Sequence, residues 1–599
     1  MVRKQIVILL FTVLQFALPA RLCAAAQEGP FALIFVIDGI PNDLFMQMLE
    51  QGELPNFRTH IYERGIHSKH HVSVFPPLTF PAMASIFSGY YPSSHKVPNF
   101  FWVDREQARY KSYLSALLPQ YQSDLEENVR FLFDFFPRRR TLSFGLPLNI
   151  GGDYTRHLTS SFIDIFREFR DLDYVGKTVK QEHAIAPDML IKPLKTLALL
   201  NPAKETNVIS LLNPASPSGI LRYSLASFSP TTRALRRQIP AAVLYYEWAP
   251  DHFGHEDGPW SDDVRDSLIE ADTQFGRLVR VYQQAEIYDR TFFFLLSDHG
   301  QIPVDPKYVR IDRLFQKKGF KAQFVSHELI AKSGLSGLLR IRSVLIGSGS
   351  IKGYNCALGT AGGGSVVAFL SKNGGTKAED WREQVYYEDL LSYPLGSSRH
   401  VNLIQFITSI DGMNFFLVRE NEFVPGEPHE TRVVSRSGSS RVRAKVRNGK
   451  PVEIGYELIE GKDPLEYMQN PSLAAFIREG HHGDMEWLEA TAETAYPDAP
   501  VQIAQIMETP RSGSVIMVPD DYHSFNARTW SKHGGLSASE MLTTFAVAGP
   551  GIRHGSIDHS RVIDFVPTFL HLMGRNVPTG YFDGMVLENI IAETEAGPP

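Results

Sequence analysis

Cysteine is nearly absent from this 599-residue chain: only Cys23 and Cys356 occur, too few for a disulfide framework, so stability has to come from core packing and bound groups. Long hydrophobic runs are equally scarce. Ile6 to Ala20 is almost wholly apolar, but it is shorter than the roughly 20 residues a comfortable membrane-spanning helix needs. No other segment approaches that length, which excludes a polytopic membrane protein. An excess of basic residues is missing too. Sixty Lys and Arg against 66 Asp and Glu leave a formal charge of −6, which argues against a protein that coats nucleic acid. It leaves open a small anionic substrate, because metal ions supply positive charge locally. Internal repeats and long low-complexity segments are also lacking, which excludes solenoid and collagen-like architectures.

What is present begins with an export signal. Arg3 and Lys4, the apolar run and Ala24-Ala25-Ala26 predict a secretory signal peptide over residues 1–26, with an uncleaved anchor as the alternative. The mature chain is then exported, periplasmic or secreted, without an integral span. It keeps a single cysteine, Cys356. Arg21-Leu22 before Cys23 is a poor match to a lipoprotein site. The length exceeds what one hydrophobic core organises, so one large domain with inserts, or two domains, is expected.

Short apolar runs ending in acidic turns set the pattern. Ala32–Ile37 ends at Asp38-Gly39, Ala241–Tyr246 leads to Asp251, and Thr291–Leu296 ends at Ser297-Asp298-His299-Gly300. Such runs fit strands buried on both faces of an α/β sheet. Between them Val264, Leu268, Phe275, Leu278 and Tyr282 recur at helical spacing within 262–287. Ligands in open α/β sheets bind beyond the carboxyl ends of the strands, so acidic residues at those ends are a functional signal. From about Val309 to His523 the character changes to Gly-rich turns such as Gly362-Gly363-Gly364 and strand pairs, including 432–436 and 440–446 around Gly438. The expectation is a mostly parallel central sheet flanked by helices over 27–308 and 524–592, with an α+β insertion over 309–523.

Asp38, Asp251 and His255 in Asp-His-Phe-Gly-His, Asp298 with His299, and His533 in Ser-Lys-His-Gly-Gly supply three carboxylates and three imidazoles. That mixed set suits a pair of zinc ions, and also admits manganese or iron. Pro76-Pro77-Leu78-Thr79-Phe80-Pro81 opens an apolar helix at Thr79. A plain N-cap is one reading of Thr79. A hydroxyl at a helix N-terminus is also where an alkoxide is stabilised and an anion welcomed.

Taken together, Thr79-Phe80-Pro81, the stretch from Gly89 to His95 (Gly-Tyr-Tyr-Pro-Ser-Ser-His), Asp251-x-x-x-His255, Asp298-His299-Gly300 and His533 resemble the nucleotide pyrophosphatase/phosphodiesterase family of the alkaline phosphatase superfamily. The resemblance covers about 31–306 and 532–586. It implies an alkaline-phosphatase-like fold and a two-zinc hydrolase of phosphodiester or pyrophosphate bonds acting through a phosphothreonine on Thr79. It assigns one zinc to Asp38, Asp298, His299 and Thr79, and the other to Asp251, His255 and His533. Two departures stand out. Ala82-Met83 replaces a frequent Asn-His, and Asn99, the nearest match to the family's phosphate-holding asparagine, falls about one residue early. A turn asparagine after Pro98 is its equally weighted reading.

Phe100-Phe101-Trp102 either lines a leaving-group pocket or packs the core. Arg138-Arg139-Arg140 reads as a solvated cluster, Asp257 and Asp272 read as structural, and His67, His70 and His71 lack partnering acids. A sulfatase lacks its Cys/Ser-x-Pro-x-Arg sequence here. Phosphomonoester or phosphonate hydrolysis of a small nucleotide-type or headgroup-type substrate stands as the alternative, and a non-catalytic metal binder leaves Thr79 unexplained.

Overall fold

Seven apolar residues in a row, Phe31–Ile37 (β1), are all buried, and this strand is the axis of the molecule. The structure is a computed structural model that describes residues 29–113, 129–137, 141–146, 150–151, 154–157, 240–305, 307–326, 348–396, 399–526 and 529–592. The expected signal segment and Arg138-Arg139-Arg140 lie outside the described residues.

The further strands of the central sheet are β2 (Ile66–Val72), β3 (Thr141–Gly145), β4 (Tyr154–His157), β5 (Ala242–Glu247), β6 (Thr291–Ser297), β7 (Leu542–Thr543), β8 (Phe545–Ala548) and β9 (Gly555–Arg561). Their order is β7-β2-β8-β6-β1-β5-β3-β4, with β9 also on β2. The β1, β3, β4, β5 and β6 pairings are parallel, whereas β8 runs against β6 and β2. Register fixes the working edge: Ile37 lies level with Glu247 and with Ser297. The next residues, Asp38, Trp248 and Asp298, therefore leave the sheet side by side.

Six helices frame the site: α1 (Asn42–Gln51), α2 (Thr79–Ser88), α3 (Ala249–Asp257), α4 (Asp262–Gln284), α5 (Ala499–Met507) and α6 (Phe565–Leu572). The pleat of β1 divides them into layers. Leu33, Phe35 and Ile37 pack with α1 and α4 through Phe45, Leu268 and Phe275. Ala32, Ile34 and Val36 face α2 and α6 through Met83, Phe87 and Phe569. The predicted amphipathic helix is α4. It starts where Ser261 caps the Val264 N–H at 3.3 Å, a bond of the kind that contributes about 1 kcal/mol.

The 309–523 stretch carries a second, mixed nine-stranded sheet that includes the expected hairpin, observed as His429–Ser435 and Gly438–Arg447. Helix α5 lies between that sheet and the central layers, and every one of its residues is buried. Its Val501 and Ile503 belong to the same apolar cluster as Ile34 and Ile86, so the two sheets share one core. Cys356 is buried and free. Among the described residues no helix is long and apolar enough to cross a membrane.

Candidate active site

Asp38 ends β1, Asp298 and His299 end β6, and Asp251 and His255 project from α3, one turn apart on one face because i and i+4 align on a helix. His533 comes from a loop more than two hundred residues later in sequence, and a glycine turn of the second sheet holds it. The His533 N–H donates to Gly362 O at 3.0 Å, and the Gly364 N–H donates back to His533 O at 2.8 Å. A Cβ at Gly362 would stand 2.7 Å from His533 Cε1. The triple-glycine turn thus exists because the backbone must lie against an imidazole.

These six side chains meet. Asp251, His255 and His533 offer atoms within 4.8 Å of one another, and so do Asp38, Asp251 and His299. Asp251 therefore belongs to both groups, where the resemblance puts Asp298 with Asp38 and His299. Asp298 stands alongside, its Oδ2 3.4 Å from His299 Nε2, while Asp38 Oδ1 lies 3.3 Å from the same nitrogen. The His299 and His533 rings stack at 3.8 Å.

The imidazoles are oriented from behind. His533 Nδ1 lies 2.9 Å from Pro77 O, His299 Nδ1 3.2 Å from Gly300 O, and His255 Nδ1 3.0 Å from Thr529 Oγ1. The Thr529 hydroxyl donates onward to Ser531 O at 2.6 Å. Each Nδ1–H is thereby engaged, which turns an Nε2 lone pair inward, as metal-binding histidines require. His533 Nε2 and His255 Nε2 then face each other at 3.1 Å, an approach that a shared cation or proton makes favourable.

The charges tell the same story. Burial, followed by the Asp298 and Asp251 charges, pushes the Asp38 carboxyl well above the usual range, and burial raises Asp298 also. Burial would raise Asp251, but His255, His533 and His299 outweigh it and hold it low. Burial and the neighbouring His299 drive His533 far down. Asp38 Oδ1, Asp298 Oδ2 and His299 Nε2 are buried without a hydrogen-bond partner. Unpaired buried polar atoms cost about 1–3 kcal/mol each, so clustered carboxylate and imidazole orphans fit divalent cations.

Thr79 is the first residue of α2. Leu78 occupies the N-cap position, so the plain capping role does not hold. Among the described residues the half-buried Thr79 hydroxyl makes no hydrogen bond. The loop before it is tied to the cluster twice: Pro77 O meets His533, and the Ser73 hydroxyl donates to Asp298 O at 2.5 Å. Asn99 is buried, and its Oδ1 accepts the Phe100 N–H at 2.7 Å, which commits the oxygen and leaves the amide nitrogen as donor. Phe100 meets Phe80 edge-on at 5.0 Å, bringing the Asn99 segment next to the head of α2. Phe101 and Trp102 are core residues.

Several contributors carry no local sequence signal. Gln301 donates to Asp251 Oδ1 at 2.5 Å and to its carbonyl at 3.1 Å, and a Cβ on Gly254 would lie 1.8 Å from Gln301 Oε1. Tyr246 donates its hydroxyl to Asp38 Oδ2. Asp272 is structural as expected, accepting the Phe57 N–H at 2.7 Å. His71 is buried against Ser560, and among the described residues none of His67, His70 and His71 joins a metal-type cluster.

Residues 32–127 and 172–360 match the family model described as type I phosphodiesterase/nucleotide pyrophosphatase. The match continues past residue 306 into the second sheet and stops short of His533. Two solved structures of murine ectonucleotide pyrophosphatase/phosphodiesterase 5 are similar at a TM-score of 0.46, with 11% and 10% identity, covering 94% of this chain and 100% of theirs. One of them is an inactive variant in complex with AMP. No curated protein matches the chain. The family-model match relates the chain to the type I phosphodiesterase/nucleotide pyrophosphatase family, and the chain is a phosphoric ester hydrolase.

Proposed function

We propose that the protein cleaves phosphodiester or pyrophosphate bonds of a small substrate, of nucleotide or lipid-headgroup type, through a covalent phosphothreonine on Thr79. The observation that carries this reading is the convergence of Asp38, Asp251, His255, Asp298, His299 and His533, with the loop of a hydroxyl-headed helix fastened to it at Pro77. Asp38, Asp298 and His299 would hold one cation beside Thr79, and Asp251, His255 and His533 the other. Two divalent cations, zinc by the donor set with manganese or iron as alternatives, would lower the hydroxyl pKa and neutralise phosphoryl charge.

The chain's own groups do the rest. The Thr79 oxygen, its proton lost to solvent, attacks phosphorus in line; the bond to the leaving alcohol or phosphate breaks and the leaving group departs with the electron pair. Water then attacks the phosphothreonine and releases Thr79. The Asn99 amide N–H is the donor for a non-bridging oxygen, and the N-terminus of α2 favours the negative charge. Gln301 and Tyr246 hold the carboxylates in place. The catalytic core is 27–308 with 524–592, and the 309–523 insertion supplies the loop that seats His533. The chain is exported after loss of residues 1–26.

Bis-p-nitrophenyl phosphate compared with p-nitrophenyl phosphate on the zinc-loaded protein tests the assignment. The diester is the expected preference, with a loss of at least about 10³-fold in Thr79→Ala. A preference for the monoester would move the protein to the phosphomonoesterase alternative. Undiminished activity in Thr79→Ala would remove the proposed nucleophile.

A further inference from the structure

The loop that delivers Thr79 has few ways of being held. Between Ser73 and Thr79 the chain reads Val74-Phe75-Pro76-Pro77-Leu78, and the two prolines carry no N–H. The Leu78 N–H turns back to Pro76 O at 2.8 Å. The Phe75 N–H is thus the last outward-facing backbone donor before the helix, and it is buried. It donates to Gln502 Oε1 at 3.0 Å, across 427 residues of sequence.

Gln502, on α5, is itself fixed. Its Nε2 donates to Asp498 Oδ2 at 2.8 Å. Rotating the amide by half a turn would set its NH2 against the Phe75 N–H and its oxygen against a carboxylate, so only one orientation satisfies both contacts. Asp498, fully buried, is clamped by Arg561 of β9: Nε to Oδ2 at 2.7 Å and Nη2 to Oδ1 at 2.8 Å. Such a planar two-point pairing sets orientation as well as charge. One turn along α5, Gln505 accepts the Ser93 hydroxyl at 2.6 Å; it has the same chemistry and nearly the same burial, but its hydrogen bond is to Ser93 and not to the loop.

We propose that Gln502 is a positioning residue for the nucleophile. Through the Phe75 N–H it fixes where Thr79 stands relative to the carboxylate and imidazole cluster, and Asp498 and Arg561 hold Gln502 in the single orientation that does so. The insertion thereby acts on the reaction at both ends of one loop, because Pro77 O is held by His533 and His533 by the insertion's triple-glycine turn. This deepens the Thr79 reading and rests on it.

The test uses the full-length metal-loaded protein and bis-p-nitrophenyl phosphate. Gln502→Met keeps the volume and removes both polar contacts; Gln505→Met is the matched control, and Thr79→Ala reports on the nucleophile itself. Displacement of a reacting group by about 1 Å costs about 100-fold, so Gln502→Met is expected to lose between about 10-fold and 100-fold in kcat. Its KM and bound-metal content should stay within about twofold of the parent. Gln505→Met should lower the melting temperature comparably while kcat stays within about threefold. If Gln502→Met is insoluble, Gln502→Asn replaces it, since one methylene less withdraws the acceptor from Phe75. A kcat within about threefold of the parent, or an equal loss in Gln505→Met, would overturn the positioning role. Retained activity in Thr79→Ala would instead overturn the underlying reading, and the two failures are distinguishable.

Discussion

Gly39→Ala should silence the enzyme out of proportion to its effect on stability. Gly39 follows Asp38, donates its N–H to Asp298 Oδ1 at 3.1 Å, and sits at φ +58° with its open face against Asp251. A Cβ there would stand 2.7 Å from both Asp251 Cβ and Oδ1, and 2.8 Å from Gln301 Nε2. Carbon atoms rest at about 3.5–4.0 Å, so Asp251 has to withdraw by about 1 Å. The left-handed backbone adds about 1–2 kcal/mol of strain. A displacement of about 1 Å at a reacting site costs about 100-fold in rate, which is about 2.7 kcal/mol of barrier. Gly52→Ala separates the two effects. Gly52 is also left-handed, at φ +78°, but its nearest neighbour would be 3.8 Å away. Both variants should melt a few degrees lower; only Gly39→Ala should lose activity and bound metal. Equal kcat in the two variants would refute the claim that close approach of the strand-end backbone to Asp251 sets the site.

Two further expectations concern charge. Burial pushes the Glu247 carboxyl to about 7 from an ordinary value near 4.5. Its folded-state pKa is raised, so its contribution is intact below about pH 4.5 and is lost as pH rises through about 7, an effect of about 3 kcal/mol. Glu247→Gln should flatten the denaturation midpoint across that window; an unchanged slope would contradict it. The same sign applies to Asp38 and Asp298, which are raised by burial. Chelated protein should therefore lose stability as pH climbs past the ordinary aspartate range, and zinc should restore it. With zinc at 100 times its Kd the gain is about 2.7 kcal/mol per site, seen as a melting-temperature gap that is wider at pH 8 than at pH 5. A gap that does not grow with pH would contradict the account of the carboxylate cluster.

The sequence made the strand ends readable because burial on both faces leaves unbroken apolar runs, and the acidic residue terminating each run stands out. Asp38 and Asp298 stand out in this way, Thr79 by the prolines that open its helix, and α4 by its period. Gln301, Gln502 and the role of Gly362-Gly363-Gly364 were not. A glutamine in a helix has no local reason to be special, and Gln502 matters only because tertiary pairing brings it to Phe75 from 427 residues away. The sharing of Asp251 between two donor groups is likewise a matter of side-chain geometry, which spacing does not encode. Asn99 falls about one residue early against the family spacing, and the Phe80–Phe100 contact, which sets its segment beside the head of α2, is a tertiary feature that spacing does not encode.

If Thr79 is the nucleophile, it becomes covalently phosphorylated during turnover. Acid-quenching the zinc-loaded protein during hydrolysis of bis-p-nitrophenyl phosphate, followed by peptide mass spectrometry, tests it most directly. The expected result is an aryl phosphoryl adduct on the peptide containing Thr79, absent together with activity in Thr79→Ala. An adduct on another residue, or undiminished turnover in Thr79→Ala, would contradict it.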